Sequence, residues 1–148
     1  MPGINTVCIC GSMSFIDQME QLAGFARQEG YTVAVPQREV IDIDRGSAPG
    51  AEALTLKRRY IDGHLAHIRT SDLVLLANYP KHDIAGYVGP NTLVEAAFGY
   101  ALGIPVATLF EPGPQPCKLE IDALSAGAIG PSVVSWTARL HRLLNPDS

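Results

Sequence analysis

The chain has 148 residues, is 47% hydrophobic and carries a formal net charge of -4. That balance fits a single domain over residues 1–148 with a proper core, and it excludes a disordered chain. The acidic surplus argues against a nucleic-acid surface, which needs clustered Lys and Arg.

No run approaches the ~18 apolar residues of a membrane span, and no charged-then-apolar leader opens the chain, so the expected setting is cytoplasmic. NTVCIC, residues 5 to 10, reads as a first strand ended by Gly11-Ser12. Ser14 is placed to cap the next helix, where Phe15, Ile16, Met19, Leu22, Ala23 and Ala26 recur at helical spacing until Gly30. YTVAV, residues 31 to 35, is a second strand stopped by Pro36. Residues 36 to 51 form the longest irregular stretch and carry Glu39, Asp42 and Asp44; a loop of this length in a compact domain is usually functional. From about Ala51 to Arg69, Leu54, Ile61, Leu65 and Ile68 make the apolar stripe of a second helix.

DLVLLA, residues 72 to 77, is nearly all apolar, as a central strand buried on both faces should be. A glycine-rich loop then opens a third helix, roughly 91 to 102, and IPVATLF, residues 104 to 110, is the fourth strand. A weaker helical pattern runs from Cys117 to about Ala126, Val133-Val134 reads as a short fifth strand, and Thr137 to Leu144 as a terminal helix. This alternation predicts an α/β fold: a doubly wound, Rossmann/flavodoxin-like parallel sheet of about five strands with helices on both faces.

In such sheets ligands bind beyond the carboxyl ends of the strands. That puts Gly11 to Ser14, the 36 to 51 loop and Asn78 to Glu95 around one crevice. Amides and hydroxyls at Gly11, Ser12 and Ser14, and again at Gly86, Gly89, Asn91 and Thr92, suit an anionic or hydroxyl-rich ligand. Neither G-x-G-x-x-G nor G-x-x-x-x-G-K-[ST] occurs, so the dinucleotide and P-loop readings fail. Thr92-Leu93-Val94-Glu95 has the spacing of a capping box. In that position the helix dipole favours a carboxylate anion, which suits a nucleophile, or a stabiliser of the oxocarbenium-like state reached at a sugar C1′.

Three cysteines suggest no disulfide framework. Cys8 and Cys10 lie two apart in a strand and share a face, but no second pair at ligand spacing supports zinc. His64 and His67 form a His-x-x-His pair with no evident third ligand. The expectation is therefore buried thiols, surface histidines, no metal and no cofactor. The basic run Lys57-Arg58-Arg59 is read as a solvated helix face, with a 5′-phosphate contact as the sharper alternative.

VCICGS (7–12), HLAHIRTSDLVLLANY (64–79) and GPNTLVEAAFGYALGIPV (89–106) together resemble the nucleoside 2-deoxyribosyltransferase superfamily, which includes 2′-deoxynucleoside 5′-phosphate N-hydrolases. The similarity runs from about residue 5 to residue 110. It implies that Glu95 is the nucleophile at C1′, acting on a nucleoside or nucleotide, and that the protein is a homodimer or larger. The chain departs from the family's pattern at Cys8, where a tyrosine is usual, and at His64, where an aspartate is usual. A histidine there has the chemistry to hand a proton to the leaving base. Gly86-Tyr87-Val88-Gly89 is similar to an uncharacterised branch of the superfamily, and Tyr87 has a ring to stack on a base. Two other functions fit the same residues. One is a non-catalytic nucleotide sensor, and the other a cytokinin phosphoribohydrolase-like enzyme, whose PGGxGTxxE is partly echoed by GPNTLVE.

Overall fold

The computed structural model describes residues 3–38 and 50–147. Four strands, β1 (Thr6–Cys10), β2 (Thr32–Ala34), β3 (Leu73–Leu76) and β4 (Val106–Thr108), form one parallel sheet in the order β2-β1-β3-β4. The register pairs Val7 with Val33 on one side of β1 and with Leu73 on the other. Parallel neighbours need crossovers, which α1 (Ile16–Gln28), α2 (Gly50–Arg69) and α3 (Pro90–Ala101) supply, while α4 (Lys118–Leu124) and α5 (Trp136–Leu144) follow β4.

Successive strand side chains point to opposite faces, so the sheet divides two cores. On one face Val7, Ile9, Leu73, Leu75 and Ala107 pack with Met19, Ala23, Trp136 and Leu140 of α1 and α5. On the other, Cys8, Cys10, Val74, Leu76 and Val106 meet Ile68, Ala96 and Ile121 of α2, α3 and α4. Gly99 lets α3 press onto the sheet: a Cβ added there would stand 2.8 Å from Val74 Cγ2. Glu95 lies one turn earlier on the same helix face.

The strand order steps from β2 back past β1 to β3, so the segments that leave the carboxyl ends of β1 and β3 part to opposite faces and leave a crevice between them. Asp72 Oδ2 accepts from Asn5 N and Thr6 N at the opposite end. Asn78 closes the mouth side, accepting from Leu109 N and Phe110 N and donating to Phe110 O.

Three sequence expectations need correction. The fifth strand is absent among the described residues: Val133–Ser135 is a 3-10 turn leading into α5, and the edge of β4 carries a single parallel bridge, Thr108 to Ala128. Gly127 and Gly130 adopt positive φ, +136° and +75°, on either side of that bridge, and no extended strand can run through them. The capping box does not form either, because α3 starts at Pro90 with Gly89 as its N-cap. Proline's fixed φ favours the first helical position, so Glu95 falls in the second turn and the helix-dipole argument for its charge lapses. Finally, Ser12 rather than Ser14 is the cap. Its Oγ accepts from Ser14 N and opens a 3-10 turn, Met13–Phe15, ahead of α1.

Candidate active site

A pocket of about 340 Å³ opens beyond the carboxyl ends of β1 and β3. Its walls are Gly11, Ser12 and Met13 after β1, Pro36 and Gln37 after β2, Lys57, Tyr60, Ile61 and His64 of α2, and Lys81, Tyr87, Gly89 to Thr92 and Glu95 across the loop and α3. The loop is held from outside. Lys81 and Ile84 pair through a tight turn in which His82 and Asp83 take φ of +52° and +60°, the double left-handed geometry of a type I′ turn. Gln115 accepts from Val88 N and donates to Gly86 O and Gly113 O. Gly86 has φ +63° and its backbone lies against Glu111 O, so only glycine fits there.

Two lysines give the pocket mouth a positive character. Lys81 Nζ donates to Ser12 Oγ at 3.1 Å and sits 5.6 Å above the Tyr87 ring. Lys57 enters from α2, while Arg58 and Arg59 are exposed and off the wall.

The floor is where ionisable groups converge. His64 Nε2 stands 3.0 Å from Glu95 Oε2, 3.5 Å from Cys8 Sγ and 3.4 Å from Cys10 Sγ. His64 is 8% exposed and the Glu95 side chain 15%. The Nε2–Oε2 approach is close but off the hydrogen-bond direction, so Oε2 is buried beside an ion-pair partner with no directed hydrogen bond.

Burial opposes a charge on His64, but hydrogen bonding to Cys8 and the pull of Glu95 outweigh it and raise the imidazole to about 10. Hydrogen bonding to Cys10 lowers the Cys8 thiol from 9.0 to about 6 against the cost of burial, with His64 adding to the effect. Burial pushes Cys10 well above 9.0, and its bond to Cys8 adds to this, so Cys10 keeps its proton and donates it toward the Cys8 sulfur. Both shifts run toward the charged forms, a Cys8 thiolate beside a His64 imidazolium.

Most residues singled out in the sequence meet here. Gly11, Ser12, His64, Tyr87, Gly89, Asn91, Thr92 and Glu95 all line the pocket. Ser14 lies off the wall and supports Ser12, with 2.9 Å between their hydroxyl oxygens. Glu39, Asp42 and Asp44 lie outside the described residues. His64 corrects the expectation of surface histidines: it is buried, whereas His67 is exposed. Reading by spacing missed Lys81 and the link from Cys8 and Cys10 to His64. The signal for Lys81 was its position as a single lysine between strand three and the glycine-rich loop. The link to the cysteines had no local signal, since Cys10 and His64 are 54 residues apart.

A parallel α/β domain with ionisable groups at its topological switch point belongs to the doubly wound class, and the pocket is its candidate small-molecule site. No protein-family model matches the chain, and no curated protein matches it. Among solved structures it is similar to a 2-deoxyribosyltransferase from the psychrotolerant bacterium Bacillus psychrosaccharolyticus. The identity is 19% over 91% of this chain and 95% of that one, with a TM-score of 0.58. It is also similar to a 2-desoxiribosyltransferase from Leishmania mexicana, at 18% identity over 85% of this chain and 75% of that one, with a TM-score of 0.49. The chain has the 2-deoxyribosyltransferase fold.

Proposed function

We propose that this protein cleaves the base–sugar bond of a nucleoside or nucleotide, with Glu95 as nucleophile. The observation that carries this reading is the Glu95 carboxylate at the floor of a 340 Å³ pocket, 3.0 Å from a histidine held cationic. The fold it shares with a 2-deoxyribosyltransferase supports it.

In this mechanism a Glu95 oxygen attacks C1′ as the C1′–N bond breaks, giving a glycosyl ester. The departing base takes a proton from the His64 imidazolium, which becomes neutral. Neutral His64 then takes a proton from water, or from an acceptor base, as it adds at C1′ and frees the carboxylate. Ser12, Asn91 and Thr92 offer hydrogen bonds to sugar hydroxyls, Tyr87 offers a ring face to the base, and Lys57 and Lys81 attract a 5′-phosphate.

On α3, Ala97, Tyr100 and Ala101 are exposed, and Phe98 lies half-buried under Arg69. This apolar surface supports a homodimer or larger assembly, for which light scattering at micromolar concentration is the check. The three free thiols suit a cytoplasmic setting.

The deciding experiment is free-base release, by chromatography, from ribo- and deoxyribonucleosides and their 5′-monophosphates, wild type beside Glu95→Gln. Release by wild type that is lost in a folded Glu95→Gln supports the reading. No release from any substrate, with a ligand of the same panel raising the thermal midpoint, favours a sensor on this scaffold.

A further inference from the structure

The geometry points to a binding site for one thiophilic divalent cation, zinc by preference, formed by Cys8 Sγ, Cys10 Sγ and His64 Nε2 at the pocket floor. The starting observation is an oversubscribed nitrogen. A ring Nε2 has one in-plane direction for a hydrogen bond, yet two sulfurs and a carboxylate oxygen crowd it at 3.5, 3.4 and 3.0 Å. A proton on Nε2 serves one of them well. A cation placed among them serves all.

The spacing fits such an ion. A tetrahedral zinc with Zn–S of ~2.3 Å and Zn–N of ~2.0 Å sets its ligand atoms about 3.5–3.8 Å apart. The two S–N separations are 3.5 and 3.4 Å, and all three donor atoms lie within 4.8 Å of one another. Ligation needs only small closures of the sulfurs. The donor set is soft, which selects zinc over magnesium or calcium.

Rigid elements hold the donors. Cys8 and Cys10 are on the central strand, paired on both sides, and His64 is fixed within α2. All three are buried, so an ion there is shielded from bulk water. The carboxylate oxygen that crowds the ring nitrogen, Glu95 Oε2, is itself buried with no directed hydrogen bond.

Three protein ligands leave a fourth position, and the open side is the pocket, where His64 and Glu95 form the wall. A water in that position lies beside a carboxylate able to take its proton. Alternatively, Glu95 closes the site as the fourth ligand. Either way, loading removes His64 from proton transfer, so the metal-bound and metal-free proteins differ chemically at one pocket. This proposal does not depend on base release, because its test reads binding.

The test is titration of the reduced, metal-free full chain with cobalt(II), followed by zinc competition. The expected result is a thiolate-to-cobalt charge-transfer band in the near-ultraviolet with tetrahedral visible bands, saturating at one equivalent and abolished by zinc. Cys117→Ser leaves the spectrum unchanged, since that thiol donates to Val88 O and is not among the clustered donor atoms. Cys8→Ser and Cys10→Ser each weaken binding at least tenfold, and His64→Ala does the same. Should a buried variant fail to fold, the wild-type thermal midpoint still decides, because zinc that binds only the folded chain raises it. No charge-transfer band from wild type at stoichiometric cobalt overturns the site. So does a band that survives Cys8→Ser with Cys10→Ser, or one that Cys117→Ser removes.

Discussion

The two faces of β1 are equally buried and chemically opposite. Val7 and Ile9 on one side, and Cys8 and Cys10 on the other, are all fully excluded from solvent. The first pair meets Met19, Trp136 and their aliphatic neighbours. The second meets Ile68 and Ala96, but also His64 and Glu95 at its mouth end. Burial alone therefore does not separate core from site. What separates them is what the facing helix carries, and here α2 and α3 each bring one ionisable group to the same two sulfurs.

That contrast is open to attack by substitution. The largest expected effect is Glu95→Gln, which keeps the shape but removes the negative charge. Base release should fall at least ~1000-fold while the circular dichroism spectrum stays unchanged. On the opposite face, Ile9→Ala should cost about 3 kcal/mol of stability in urea denaturation. It should leave turnover per folded molecule intact. Equal loss of turnover from Ile9→Ala would mean that the two faces are not separable.

His64→Asn comes next, with ~100-fold slower release at neutral pH, the usual scale for a missing proton donor. The wild-type rate should also fall as pH rises through about 10, where His64 loses its proton.

The smallest effect concerns the metal-free protein's own titration. Because Cys8 is lowered to about 6, its thiolate absorbance should appear as pH rises through that value. The linkage has a definite sign. The stability from the raised His64 is present below ~6.5 and lost as pH climbs toward about 10. The stability from the lowered Cys8 is complete above 9.0 and lost as pH falls through about 6. The charged pair therefore survives between those two limits. Cys10→Ala removes the hydrogen bond that contributes most to the Cys8 shift, so the thiolate step should move up toward 9.0.

Much of the fold is legible in the chain because it depends on local pattern. The apolar run within residues 72 to 77 reads as a doubly covered strand, and Leu73–Leu76 is one. The spacing of Met19, Leu22, Ala23 and Ala26 fixes the buried stripe of α1. The crevice also follows from element order, which puts Glu95 in it, whereas His64 became a candidate only through the family resemblance. Errors arose where two local rules compete. Thr92 and Glu95 satisfy a capping pattern, but Pro90 starts the helix sooner and overrides it. Val133-Val134 has strand-forming residues, yet glycines at positive φ break the backbone before it and a 3-10 turn takes its place.

The sequence by itself determined the parallel α/β architecture, the crevice and the pair of thiols sharing one strand face, because each rests on periodicity within a few residues. Only the tertiary structure decided that those thiols meet His64, and that Glu95 leans over the same nitrogen. That meeting requires three chain segments to converge, and its geometry is set by how closely α3, through Gly99, and α2, through Ile68, pack onto the sheet. No local pattern encodes such a distance. It follows from the close packing of side chains that are remote in sequence.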